Sequence, residues 1–208
     1  MIFLGPSLPL EEAQAILDAD YRPPVKRGDI GSIPRDVEVV GIIDGVLLND
    51  AAVGHREILS LLNRGVKVLG ASSMGALRAT ELADFGMVGI GRIYEEYASG
   101  RVEGDDEVVL SYDPFTLLAL SEPLINIRLN LEKAREGGVI GQEVERALID
   151  EMKKVFYPRR NFSLLIEMAE KIMGKNEAQK FKKFLQDETE DFKQKDAIFL
   201  LKAVKQIK

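Results

Sequence analysis

The feature that most constrains the fold is an alternation of short apolar runs with amphipathic helical stretches in the first half of the chain. Residues 37–43 form an apolar run, residues 53–63 repeat apolar side chains at helical spacing, and residues 66–69 form another apolar run. A strand, a helix and a strand within about 35 residues make a βαβ unit, whose strands are parallel. The pattern therefore predicts an α/β fold with a mostly parallel sheet flanked by helices.

Similar patterns predict the remaining elements and the division of the chain. In the first half we expect a short strand over residues 2–4, helices over residues 10–17, 74–84 and 93–97, and an edge strand over residues 107–112. Beyond Pro114, three apolar stripes at helical spacing follow without a credible strand. We therefore expect an α/β core over residues 1–113 and an all-α part over residues 114–208, which packs on the core or beside it.

Composition removes several kinds of chemistry. The chain has no cysteine and only one histidine, His55. These 208 residues therefore cannot form a disulfide scaffold, a thiol nucleophile, a persulfide relay or a metal site with two histidines. We expect no metal and no cofactor.

The distribution of charge bears on the partners of the protein. The formal net charge is −6, yet residues 151–208 carry 14 Lys and Arg against 9 Asp and Glu. The lysines alternate with acids at helical spacing and no aromatic platform accompanies them, so we expect a solvated helix surface and no nucleic-acid binding. A basic face for an acidic protein partner is the alternative.

Localisation is read from the apolar runs and the first residues. No apolar run reaches the length of about 20 residues that spans a bilayer. The printed sequence begins directly with Met1 and shows no basic segment before an apolar one. We expect a cytoplasmic protein without membrane association.

A small-residue turn at residues 71–75 is the most informative segment. It follows the apolar run at residues 66–69, opens a helix, and reads Ala-Ser-Ser-Met-Gly, a one-methyl variant of the Gly-x-Ser-x-Gly nucleophile elbow. The turn would present Ser73 at the end of the strand. The amides of Met74 and Gly75 would then point at an oxyanion, because the first amides of a helix lack intrahelical partners.

The same turn has a purely structural explanation. Ser72 or Ser73 can act as the N-cap of the helix, a role worth about 1 kcal/mol.

A nucleophilic serine requires a base, and three residues are candidates. His55 lies near the start of the helix that precedes the elbow strand. A lysine serves only if desolvation lowers its pKa. Lys26, in a Pro-rich turn, and Lys153, one step off an apolar stripe, are the lysines that we expect to be partly buried.

Three further segments are open to two interpretations. Asp44 ends a buried strand, where open α/β sheets place ligand-binding groups, but Asp44-Gly45 is also an ordinary turn signal. The glycine-rich residues 86–91 are a weak nucleotide signal, and a close-packed loop is the alternative. The three acids at residues 105–107 attract a cation or are simply hydrated.

Six strings stand out in order along the chain. They are Gly5-Pro6-Ser7-Leu8, Pro23-Pro24 with Gly28-Asp29, Ile43-Asp44-Gly45, His55-Arg56-Glu57-Ile58, Ala71-Ser72-Ser73-Met74-Gly75-Ala76-Leu77-Arg78-Ala79, and Phe85-Gly86-Met87 with Gly89 and Gly91. With these strings the chain resembles the TfuA-like proteins. The resemblance covers residues 2–113 and continues more loosely through residues 153–160.

The resemblance implies a role beside YcaO enzymes in peptide backbone thioamidation. The TfuA-like protein would hydrolyse a thiocarboxylated ThiS-type sulfur carrier protein and release sulfide, with YcaO, the carrier and the peptide substrate as partners. A non-catalytic adaptor that binds YcaO and its peptide substrate is the alternative.

The resemblance also implies a hydrolase-like Ser-Lys pair. We assign Ser73 as the nucleophile and Lys153 as the base, with Lys26 as the second candidate. Many members look like His-Lys-Glu-Ile where this chain has Arg56, so a base at that position would be missing here. The remaining residues expected to bind the substrate or its oxyanion are Ser7, Asp44, His55, Ser72, Met74, Gly75 and Arg78; Arg78 would contact the carrier tail or form an ion pair with Asp44.

Overall fold

The structure is a computed structural model that describes residues 1–47 and 51–207. Short strands and helices alternate in the first half, and helices make up the second half. The strands are β1 Ile2–Phe3, β2 Tyr21–Arg22, β3 Val39–Ile42, β4 Lys67–Ala71 and β5 Val88–Ile90. The helices are α1 Leu10–Ile16, α2 His55–Asn63, α3 Met74–Leu82, α4 Arg92–Ala98, α5 Leu124–Glu136, α6 Gln142–Lys154, α7 Phe162–Met173, α8 Lys175–Glu188 and α9 Phe192–Ile207.

The five strands form one sheet in the order β2-β1-β3-β4-β5, and every pairing between neighbours is parallel. The prediction of an α/β fold with a mostly parallel sheet and flanking helices is therefore confirmed. Strand β4 pairs with β3 over four residues, from Lys67 beside Val39 to Gly70 beside Ile42.

Helices cover both faces of the sheet. Successive side chains of a strand point to opposite faces, so Val40, Ile42 and Val68 pack in one apolar cluster with side chains of α2 and α3. Leu69 and Ala71 pack in another cluster with side chains of α1 and α9. Both faces of the sheet are buried, which explains why the strands are nearly continuous apolar runs.

The chain divides into two compact units. The first unit comprises Met1–Asp105 and Phe192–Lys208, and the second comprises Asp106–Asp191. This division differs from the expected boundary after residue 113, because the last helix belongs to the first unit. The apolar stripe of α9 explains its membership: Ala197, Leu200, Leu201 and Val204 are buried against the sheet cluster.

The second unit contains α5–α8 around an apolar core of its own, to which Leu131, Leu148, Leu165 and Phe181 belong. None of the helices within residues 1–47 and 51–207 is both long enough and apolar enough to cross a membrane.

The expected edge strand over residues 107–112 is wrong. Residues 105–107 form a 3-10 turn instead. The buried Glu107 carboxylate accepts hydrogen bonds from Arg128, with Nη2 at 2.6 Å, and the carbonyl of Asp106 accepts one from Arg160 at 3.0 Å. Farther along, Tyr112 forms an isolated antiparallel bridge with Ala119 instead of joining the sheet.

The glycine-rich residues 86–91 contain strand β5, which the sequence pattern did not predict. Gly89 packs against the ring of Tyr94 so closely that a Cβ atom there would lie 2.1 Å from it. The segment is close-packed, as the structural alternative required, but it is a strand rather than a loop.

Candidate functional site

The candidate site lies at the carboxyl edge of the sheet, where the strand order reverses. The chain continues from β1 to β2 on one side, and from β3 through β4 to β5 on the other. Open parallel sheets form a ligand crevice outside the strand ends at such a reversal. Ser7 and Asp44 follow β1 and β3 at this point, and Ser72 and Ser73 follow the neighbouring β4.

Small residues allow α3 to start directly against the strands. A Cβ atom on Gly75 would lie 1.7 Å from the carbonyl oxygen of Ile42, and one on Gly70 would lie 2.1 Å from the carbonyl oxygen of Gly75. Because backbone meets backbone here, no side chain can move aside to make room. The strand, turn and helix predicted from the elbow motif are present, and their close packing accounts for the two glycines.

The turn between β4 and α3 is strained at Ser72. Ser72 has a φ of 67°, and the amide of Ser73 donates a 2.8 Å hydrogen bond to the carbonyl of Ala71. These two features define a γ-turn centred on Ser72 in the left-handed region, a rare conformation for a residue with a side chain.

Ser72 is bonded into a buried chain of side chains. Its hydroxyl donates to Ser7 Oγ at 2.8 Å, and the Ser7 hydroxyl donates to Asp44 Oδ1 at 2.6 Å. The relative exposures of Ser72, Ser7 and Asp44 are only 0%, 2% and 2%. The structure therefore joins residues that follow three neighbouring strands.

Asp44 is saturated from within the protein. Besides the Ser7 hydroxyl, its Oδ2 accepts the amides of Gly5 at 2.8 Å and of Ser7 at 3.1 Å. Of the two interpretations of Asp44, a ligand-binding group or a turn residue, the observed contacts are those of a carboxylate that organises the strand ends.

Ser73 differs from Ser72 in every respect that matters for reactivity. It occupies the N-cap position of α3, but its side chain makes no capping hydrogen bond. Within the described residues its hydroxyl has no hydrogen-bond partner. Ser73 is only 3% exposed, but no buried side-chain oxygen of the described residues lacks a partner, so the Ser73 hydroxyl oxygen itself reaches solvent. The N-cap explanation therefore does not account for Ser73.

The two amides expected to form an oxyanion site are not equivalent. The amide of Gly75 donates to the carbonyl of Ile43 at 3.3 Å, so the expectation that it is free is wrong. The close approach of α3 to β3 is the physical reason. The amide of Met74 has no partner among the residues that the structure describes, and it immediately follows Ser73. One backbone donor therefore remains for an oxyanion.

His55, which the sequence offered as a base for the serine, pairs with Glu81 instead. Its Nε2 lies 2.8 Å from Glu81 Oε2, and its side chain is about half exposed at the first residue of α2. The observed contacts of His55 therefore give it no role next to the serines.

Arg78 also pairs with Glu81. Its Nη1 lies 2.5 Å from Glu81 Oε2, and its Nε donates to the carbonyl of Val53 at 3.1 Å. The alternative in which Arg78 pairs with Asp44 is therefore wrong, because Asp44 is occupied by Gly5 and Ser7. A role of Arg78 toward the carrier tail stays a prediction.

Neither candidate lysine is desolvated. Lys26 is exposed, and the Lys153 side chain is 52% exposed with its Nζ 3.8 Å from Glu107 Oε1. The expectation of partial burial is therefore wrong for Lys26, and for Lys153 about half the side chain meets solvent. Ser73 belongs to the first unit and Lys153 to the second, and their pairing stays a prediction.

No group of three or more His, Asp or Glu side chains that could hold a metal ion occurs within residues 1–47 and 51–207. Of the three acids at residues 105–107, two make ion pairs within the second unit, Asp106 with Arg160 and Glu107 with Arg128.

A functional contact that the sequence did not indicate is the bond between Ser72 and Ser7. The two residues are 65 positions apart, and no periodic pattern connects a loop serine to another loop. Away from the site, a structural contact that sequence reasoning missed is made by Asp196, which lies one turn before Leu200 on the apolar stripe of α9. Its buried carboxylate accepts the amides of Arg92 at 2.9 Å and Ile93 at 2.8 Å, and an acid in line with an apolar stripe was the available signal.

The chain resembles a known protein family. Residues 44–161, more than half of the chain, match the family model described as TfuA-like protein. The match includes the elbow and Asp44 but begins after Ser7. A search of curated proteins finds no match to this chain.

Proposed function

The chain belongs to the TfuA-like protein family, and from this premise we propose that it supports YcaO-dependent peptide backbone thioamidation by hydrolysing a thiocarboxylated ThiS-type sulfur carrier protein. The observation that carries the proposal is the Ser73 hydroxyl, which has no hydrogen-bond partner within the described residues, reaches solvent, and stands directly before the unpartnered amide of Met74. A nucleophile and an oxyanion donor in adjacent residues are two of the three groups that acyl transfer needs; the third is a base.

The chemistry proceeds in two balanced steps. Ser73 Oγ attacks the carbonyl carbon of the thiocarboxyl group, and its proton passes through a base to the departing sulfur. The carbon–sulfur bond breaks, hydrogen sulfide departs, and the carrier remains bound to Ser73 as an ester. Water then attacks the ester, which releases the carrier carboxylate and restores the serine. The amide of Met74 stabilises the oxyanion of both tetrahedral intermediates.

The composition is compatible with this route and with no thiol-based one. Without a cysteine the chain cannot carry sulfur as a persulfide, whereas cleavage of a thioacid requires only an oxygen nucleophile, a base and an oxyanion donor. The sulfide would be consumed by YcaO, which activates the peptide amide with ATP.

The alternative is a non-catalytic adaptor that binds YcaO and its peptide substrate. The exposed lysines and the pairing of His55 with Glu81 favour it, because they leave Ser73 without an established base. In this case the small-residue turn would serve only the packing of α3.

Replacement of the nucleophile separates the two functions. Ser73→Ala should lower sulfide release from the thiocarboxylated carrier by about 10³-fold or more, because the covalent intermediate cannot form. The matched control is Ser60→Ala, which removes the hydroxyl of an exposed serine on α2 that bonds only the carbonyl of Glu57. Sulfide release is followed with purified carrier, and thioamide formation is followed by mass spectrometry with YcaO added.

A carrier ester trapped on Ser73 would support the hydrolase. If Ser73→Ala releases sulfide as fast as the control, Ser73 is not the nucleophile. If neither the natural chain nor Ser73→Ala releases sulfide, yet both support thioamidation equally, the adaptor is the correct function.

A further inference from the structure

Ser72, Ser7 and Asp44 form a buried chain of side-chain hydrogen bonds at the carboxyl edge of the sheet, and the proposed chemistry does not use it. Buried polar groups are costly unless they are fully bonded. The two serines and the aspartate are almost wholly removed from solvent, and each makes at least one side-chain hydrogen bond to another member. The hydrogen bonds from Ser72 through Ser7 to Asp44 therefore serve to hold the surrounding backbone in place.

The direction of the protons in this chain is determined by the aspartate. A carboxylate only accepts hydrogen bonds, so the Ser7 hydroxyl must donate to Asp44 Oδ1, 2.6 Å away. Ser7 Oγ can then only accept from Ser72 over the 2.8 Å contact. The proton of Ser72 is therefore committed inward, and Ser72 is not available as an attacking hydroxyl.

The same bond opposes the strain of the turn. A non-glycine residue in the left-handed region costs about 1–2 kcal/mol and persists only where its surroundings over-determine it. The only side-chain hydrogen bond of Ser72 in the described part of the chain is the one to Ser7. The bond from Ser72 to Ser7 joins two neutral hydroxyls and is worth about 0.5–1.5 kcal/mol, which is comparable to the strain, while the bond from Ser7 to the Asp44 carboxylate, worth about 1.5–3 kcal/mol, fixes Ser7 in place.

The strained turn decides the direction of the two reactive groups that follow it. The γ-turn fixes the peptide between Ser72 and Ser73, and the amide of Ser73 bonds Ala71 at 2.8 Å and Ile43 at 3.3 Å. If Ser72 relaxed to a negative φ, this peptide would rotate. The Ser73 hydroxyl and the Met74 amide would then leave their present directions.

We propose that Ser7 and Asp44 are positioning residues that act through Ser72 on Ser73. They hold the γ-turn at Ser72 in its strained form, and so align the Ser73 hydroxyl with the amide of Met74. This inference rests on the proposed function for its catalytic consequence, but the conformational part stands on the contacts alone.

A double-mutant cycle tests the proposal. Ser7→Ala and Ser72→Ala should each lower kcat for sulfide release by about 10- to 100-fold, with KM changed by less than about twofold, because alignment affects the transition state more than binding. The double variant should be no slower than the slower single variant, since both substitutions break the same chain. Losses that multiply would overturn the proposal.

The direction of the hydrogen bonds from Ser72 through Ser7 to Asp44 is tested by Asp44→Asn. The amide nitrogen of asparagine would donate to Ser7, and the Ser7 proton would turn toward Ser72. The proton of Ser72 would then be released from the chain, and kcat should fall as in Ser7→Ala. The control is Asp196→Asn, which alters another buried carboxylate that accepts two backbone amides, but at α4. An unchanged kcat in Asp44→Asn would contradict the assigned direction.

A readout that needs no catalysis distinguishes this proposal from the proposed function. In Ser7→Ala the amide of Ser73 should exchange its hydrogen at least about tenfold faster, while amides of α2 exchange as in the natural chain. If the natural chain releases no sulfide but the Ser73 amide responds, the hydrolase function fails and the positioning role stands. If sulfide release and the Ser73 amide are both unaffected in Ser7→Ala, the positioning role fails and the hydrolase function stands.

Discussion

At the residue scale, the two neighbouring serines of the elbow are physically different. Ser72 has a positive φ and is bonded inward, whereas Ser73 has a negative φ and makes no capping hydrogen bond. The motif alone predicted that one serine would be presented at the end of β4, and it also allowed both to be simple caps. Only the contact between Ser72 and Ser7 separates them, and that contact depends on how β1 and β4 lie in the same sheet. Local sequence patterns carry no information about it.

Asp196 provides a prediction about pH at the same scale. Burial raises the pKa of its carboxyl group from 3.8 to about 6, against the opposing effect of the amides of Ile93 and Arg92. The nearby Glu95 carboxylate raises this pKa further, and the charge of Arg92 lowers it. A folded-state pKa above the unfolded one means that the folded protein binds the proton more tightly. The stability contributed by this group is therefore present below about pH 4 and is lost as the pH rises through 6.

The expected measurement is a difference between two proteins. From pH 4 to pH 7, the free energy of unfolding of the natural chain should fall relative to that of Asp196→Asn by about 2 kcal/mol, because a shift of roughly two pKa units is worth about 3 kcal/mol and part of it is already lost at pH 4. Urea unfolding at several pH values measures it. A constant difference between the two proteins over this range would show that Asp196 titrates normally.

At the scale of elements, the start of α3 depends on the absence of two side chains. Gly75→Ala should destabilise the protein by about 3 kcal/mol or more, because its Cβ atom would overlap the carbonyl oxygen of Ile42 and the helix would have to move. Gly31→Ala is the control, since no atom lies within 4 Å of the Cβ position there, and we expect a change below about 0.5 kcal/mol. Thermal unfolding compares them; equal melting temperatures would contradict the close packing of α3.

The strands and helices with a clear period were predictable, and those without one were not. Helices α1, α2, α3 and α4 lie where their apolar spacing placed them. Strand β5 escaped prediction because it is only three residues long and glycines lie within it and on both sides of it, which is the signal of a loop, although Val88 and Ile90 themselves favour strands. The reason for its glycine is a tertiary contact, the ring of Tyr94. The edge strand at residues 107–112 failed for a related reason, since tertiary contacts decide that segment: Glu107 pairs with Arg128, and Tyr112 bridges to Ala119.

At the scale of the whole molecule, the apolar stripe of α9 was recognised but its partner was not. A stripe shows that something covers a helix; it does not show which surface does so. The covering surface is the sheet, more than 100 residues earlier in the chain. A chain that ends near residue 135 would therefore lack part of the core of the first unit. Removing Lys153 by such a truncation would therefore not test whether this lysine is the base, because the first unit would be damaged as well.

The base must instead be tested by substitution in the full chain. Lys153→Arg should abolish sulfide release if Lys153 accepts the proton of Ser73, because arginine stays protonated at every usable pH. Lys154→Arg is the matched control: it is the next residue of α6, and its own partner is Glu151. Because the Lys153 side chain is half exposed, the substitution should leave the melting temperature within a few degrees of the natural value. Full activity in Lys153→Arg would exclude Lys153 and transfer the prediction to Lys26→Arg. Full activity in both lysine variants, together with an inactive Ser73→Ala, would mean that the proton of Ser73 leaves through a group other than these two lysines.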